Sequence, residues 1–98
     1  MRSATWASVY SLLHQYVVQL GASNLVESDV ADFVRGIVED RGFEKAFSDQ
    51  LITAEEFATW LMAHTQSRFI GVEAPQRSSA EIKLDSDIAT RIAMLISH

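Results

Sequence analysis

Cysteine is absent from this chain, proline occurs once, at Pro75, and glycine four times, at Gly21, Gly36, Gly42 and Gly71. Without cysteine there is no disulfide framework, no thiolate zinc site and no cysteine nucleophile. That usage fits a reducing compartment, and we expect a cytoplasmic protein. Four scattered glycines make no phosphate cradle, and neither a GxSxG elbow nor a Rossmann fingerprint is present. Charge is also missing from one long stretch. Ser3 to Val26 runs for twenty-four residues without a formal charge.

That stretch is uncharged without being a hydrophobic run. A bilayer span needs about 20 predominantly apolar residues, and Ser8, Ser11, His14, Gln15 and Gln19 interrupt it. A secretory leader needs an unbroken apolar centre, which is where His14 and Gln15 stand. We therefore read the stretch as part of the fold and expect no membrane contact. Trp6, Val9, Tyr10, Leu13, Tyr16, Val17 and Leu20 fall on one helical stripe. The other side holds Ala4, Ser8, Ser11, Gln15, Val18 and Gln19, where a surface helix would carry charge. Both sides are thus expected to be covered, one by the protein's own core and the other by a partner.

Ninety-eight residues, 48% of them hydrophobic, are enough for one core in one domain, residues 1–98. The periodicity predicts an all-α fold, a compact bundle of four to five short helices. The first helix runs from Ala4 to Leu20, with Ser3 as cap and Gly21 as stop. Ser28 caps a second, with Val30, Phe33, Val34, Ile37 and Val38 at i, i+3, i+4, i+7 and i+8. Gly42 ends it, and Gly36 inside it either costs stability or permits a close approach. Phe43, Ala46 and Phe47 mark a short third helix.

Thr53 and Glu56 form a capping box for the fourth, with Ile52 and Phe57 as hydrophobic staple. Its apolar face carries Phe57, Trp60, Leu61 and His64, and it should end near Ser67. The segment 68–84 reads as a small β-hairpin or an irregular loop, because Ala80, Ile82 and Leu84 alternate with Glu81 and Lys83. Asp85 or Ser86 then caps a last helix bearing Ile88, Ala89, Ile92, Leu95 and Ile96.

Chemistry finds little purchase. His14, His64 and His98 lie on different elements, with no pair at the four-residue spacing of a zinc-binding HExxH helix. His64 reads as a hydrogen-bonded core histidine, and His98 as a cation placed for a helix C-terminus. Asp29 with Asp32, Glu39 with Asp40, and Glu55 with Glu56 stand where helices want solvated or capping carboxylates, not in a cleft that splits their pKa values. Ser48 to Phe57 resembles the second half of an EF-hand but lacks its alternating oxygen ligands and central glycine, so calcium is rejected. We expect no catalytic residues, no cofactor and no metal.

The distribution of charge says more. The net charge is −5, and residues 27–56 hold nine acids against three bases, net −6, leaving +1 for the rest. Asp29, Asp32, Glu39, Asp40, Glu44 and Asp49 are the candidate acidic surface. It would draw a basic protein partner and repel nucleic acid. The leading expectation is a protein-interaction module, an adaptor, inhibitor or regulatory subunit. It would associate with itself, a dimer being favoured, through Ala4, Ser8, Ser11, Gln15, Val18 and Gln19. A winged-helix DNA-binding regulator is the alternative, with the fourth helix as reader and 68–84 as wing. A small enzyme whose site leaves no trace in spacing is the third.

Overall fold

Thr53 and Glu56 satisfy each other's backbone at the start of the helix that holds the molecule together. Glu56 N donates to Thr53 Oγ1 at 3.0 Å and Thr53 N donates to Glu56 Oε1 at 2.9 Å, which closes the capping box. In a computed structural model, which describes residues 2–71 and 79–97, this helix is the fourth of five. The order is α1 (Ser3–Gln19), α2 (Glu27–Arg41), α3 (Phe43–Ser48), α4 (Ala54–Phe69) and α5 (Ser79–Ile96). The described residues contain no strand, so the chain is an all-α bundle. α4 packs against all four other helices, and α1 against α2, α4 and α5.

The core forms where their apolar stripes meet. Val9, Leu13, Tyr16 and Val17 come from α1, Val30 and Val34 from α2, Phe57 and Leu61 from α4, and Ile88 and Ile92 from α5. Phe57 is fully buried, and three rings surround it: Trp6, Phe43 and Phe47, with centroids at 6.1, 5.9 and 5.8 Å. α3 is too short to bury a face of its own, and it joins the bundle through these two phenylalanines. Phe43 also stacks on Trp60 at 3.9 Å.

Polar ties fix the C-terminal half of α1. His14 Nε2 donates to Leu25 O at 2.8 Å, holding the α1–α2 connection; a carbonyl can only accept, so Nε2 carries the proton. Tyr16 is 1% exposed; its hydroxyl donates to Asp85 Oδ1 at 2.7 Å and lies 3.3 Å from Gln66 Oε1. One residue thereby links α1, α4 and α5.

Several boundaries differ from the sequence expectation. α1 begins at Ser3 itself, with Arg2 at the cap position and no side-chain hydrogen bond there. α2 begins at Glu27, not after Ser28. Its cap residue is Val26, whose side chain has no oxygen to offer, and only Asp29 reaches back, 3.5 Å from Val26 N. Gly42 closes α2 in the left-handed region at φ 65°. Around Gly36 a Cβ would meet nothing within 4 Å, so the close approach considered for it is not made.

The largest correction concerns 68–84. Arg68 and Phe69 complete α4, and residues 79–84 are the first turns of α5, so the hairpin is not formed there; the remainder of that expectation, 72–78, lies outside the described residues. Ala80, Leu84 and Ile88 are also spaced at i, i+4 and i+8, and the helical period is the one that decides. Leu84 is half-buried against the core while Ile82 is 58% exposed, which strand alternation would not produce. Asp85 is consequently no cap but the acceptor for Tyr16.

Candidate interaction surfaces

α1 turns one side to the core and leaves the other as a strip with neighbours on both flanks. At 3.6 residues per turn, Ser8, Ser11 and Gln15 lie toward α5, whereas Trp6 and Tyr10 lie toward α2. On the α5 flank, Ser8, Ser11, Leu12, Gln15, Arg91, Met94 and Leu95 line an open groove of about 490 Å³. Ser8 and Gln15 are exposed and Ser11 half-buried. Met94 is 59% exposed, large and apolar. Arg91 is the one formal charge among these lining residues.

Of the six residues expected to form the contact side, three come together in this groove. Ala4 and Gln19 are exposed beyond it, and Val18 is half-buried without lining it. The α5 contribution escaped sequence reasoning, although a signal was present. Ile88, Ile92 and Ile96 define the buried stripe of α5, and Met94, two residues from Ile92, stands on its far side. Leu12 was missed as well; it is buried at the edge of the α1 stripe and floors the groove.

Five of the six candidate acidic residues, Asp29, Asp32, Glu39, Asp40 and Asp49, are exposed, and Glu44 is half-buried. Asp32 pairs with Arg35 at 3.2 Å and Asp49 with Lys45 at 2.8 Å, both at exposed positions. Such pairs contribute little stability, and they leave the face of α2 and α3 net negative.

On its α2 flank α1 borders a second cleft, of about 370 Å³, walled by Trp6, Tyr10, Arg35, Val38, Glu39 and Glu44 together with Ser3 and Ala7. Trp6 and Tyr10 stack at 5.6 Å and 21°, and the Arg35 guanidinium lies 5.8 Å over the Tyr10 ring. This combination of aromatic rings and acids was not visible as a motif, because its members are spread over three helices.

Among the described residues no group of three metal-binding side chains exists. His14 serves the α1–α2 connection, and His98 lies outside the described residues. Among the described residues His64 makes a ring contact, 4.4 Å from Trp60, and not the hydrogen bond expected for it. The described helices include none long and apolar enough to cross a membrane. No family model, no curated protein and no solved structure matches the chain. The class is therefore defined by geometry alone: an all-α bundle with a groove on one flank of α1 whose single formal charge is Arg91, and an acid-rimmed aromatic cleft on the other.

Proposed function

We propose that this chain is a small non-enzymatic protein-interaction module. It pairs with a second copy through the α1–α5 groove and turns its acidic α2–α3 face to a basic protein partner. The observation that carries the pairing is the composition of the groove. In a chain of net charge −5, the outer side of α1 brings only Ser8, Ser11 and Gln15, and α5 sets the exposed Met94 beside them with Arg91 as the single charge. Interface cores are depleted of charge and enriched in methionine. The small side chains of Ser8 and Ser11, about one turn apart, let a second helix approach closely, and a two-fold pairing would lay each Met94 into the other copy's groove.

Against a DNA reader stands the position of α4. It packs on every other helix, its N-terminal turn holds Glu55 and Glu56, and residues 79–84 are helical where a wing would be extended. Sedimentation velocity across micromolar to near-millimolar protein tests the pairing. A mass that rises toward the dimer, and that returns to the monomer in Met94→Lys, is expected. A strict monomer at the highest concentration would end the proposal of self-association.

A further inference from the structure

Arg35 is turned in an informative direction. It stands four residues before Glu39 on α2, a spacing at which the two could pair across one helical turn. Instead its guanidinium reaches back to Asp32 at 3.2 Å and lies 5.8 Å over the face of Tyr10. Glu39 is left exposed on the rim of the cleft and makes no ion pair among the described residues. The cleft therefore joins an aromatic wall that already accepts a cation to a carboxylate with no cation of its own.

We propose that this cleft receives a lysine or arginine side chain from a basic segment of a partner. The alkyl stem lies along Trp6 and Val38, and the charged head sits at the Glu39 carboxylate and takes the place of Arg35 over the ring of Tyr10. A cation over an aromatic face is attracted by the ring quadrupole, and more strongly as water is displaced. Long basic side chains also cover apolar surface with their methylenes. At about 370 Å³ the cleft is at the small end of ligand sites, roughly 300–1,000 Å³, which suits one side chain better than a cofactor. Asp32 and Asp40, exposed on the same helix, draw positive segments toward it and repel anions. The inference rests on the reading of the α2–α3 face as the side that meets a basic partner, and it names the anchor on that side.

The test uses the full chain, labelled with ¹⁵N, and an acetylated peptide of alternating arginine and alanine. The indole N–H signals of Trp6, in the cleft, and Trp60, which does not line it, report separately. A saturable shift of the Trp6 signal with little change at Trp60 is expected. Glu39→Gln should weaken binding by about three- to ten-fold, and Tyr10→Leu by a similar factor. Asp29→Asn removes the same charge outside the cleft and should change it by less than about two-fold. Arg35→Gln, which frees the ring, should tighten binding more than the charge-matched Arg41→Gln.

If Asp29→Asn weakens binding as much as Glu39→Gln while Tyr10→Leu does nothing, the cleft is overturned and the acidic face alone survives. If the peptide does not bind at low salt, both fall. A Trp6 signal that moves with protein concentration before peptide is added makes a second copy the occupant, which also overturns the proposal. Should Tyr10→Leu fail to fold, Glu39→Gln carries the decision, because Glu39 is exposed and supports no packing.

Discussion

α1 and α4 are near equals in length and in what they bury, yet they are specified in opposite ways. α4 opens on a closed capping box with Glu55 and Glu56 in its first turn, and Arg68 stands in its last. Local sequence sets both of its ends. α1 has no side-chain cap bond, no acid in its first turn and no base in its last. It is held in place by what surrounds it: the core, the Tyr16 hydroxyl and the His14 tie. A helix whose ends are set locally can be packed on every other element, and α4 is. A helix fixed by packing on one side has an outer side free for other selection, and α1 keeps that side without charge.

The largest effect should come from breaking α4 at its centre. Phe57→Ala removes a fully buried ring that three other rings contact, and truncations of this kind cost about 3–5 kcal/mol. Urea unfolding followed by far-ultraviolet circular dichroism should show a domain close to unfolded in water, given the usual 5–15 kcal/mol of total stability. A loss below about 1 kcal/mol would mean that α4 is not the hub. The matching break in α1 is Tyr16→Phe. It keeps the buried ring and deletes the hydroxyl that ties α1 to Asp85 and Gln66. Because Asp85 is only half-buried, the expected cost is about 1–2 kcal/mol in the same measurement. No change there would show that apolar packing alone holds α1.

This contrast also explains how much of the molecule was legible beforehand. Thr53, Glu56, Ile52 and Phe57 describe the start of α4 within six residues, so its position followed from sequence. The 3.6-residue stripes of α1 and α2 followed as well, as did the exposed acids. The first turns of α5 did not, because Ala80, Ile82 and Leu84 satisfy a two-residue period as easily as a helical one over so short a span. Their helix continues into a stripe whose buried members begin only at Ile88. The start of α2 was displaced because Ser28 is a good cap by type, whereas Val26 takes the cap position by conformation and Asp29 alone reaches back. Half of the α1 groove was readable from missing charge. Its α5 wall was readable only in part: the stripe of Ile88, Ile92 and Ile96 puts Met94 on the outer face, but no spacing lays that face beside Ser8 and Ser11. The aromatic cleft was least legible: the lean of Arg35 onto Tyr10 is a tertiary choice between Asp32 and Glu39 that no spacing announces.

The smallest effect on stability gives the sharpest comparison of the two helices. Ser8 on α1 and Ala63 on α4 are both exposed at mid-helix positions, so Ser8→Glu and Ala63→Glu should each stay within about 0.5 kcal/mol of the parent. If α1 faced water as the exposed strip of α4 does, the two variants would also sediment alike. Pairing through the α1–α5 groove predicts otherwise. In a two-fold contact Ser8→Glu places a carboxylate from each copy in an interface core, where both lose their hydration and only Arg91 of the groove stands near to offset that loss. The dimer population at fixed concentration should fall by about ten-fold or more for Ser8→Glu and stay unchanged for Ala63→Glu. Equal behaviour of the two variants would remove the distinction between α1 and α4. The uncharged strip would then be only a solvated surface made of serine and glutamine.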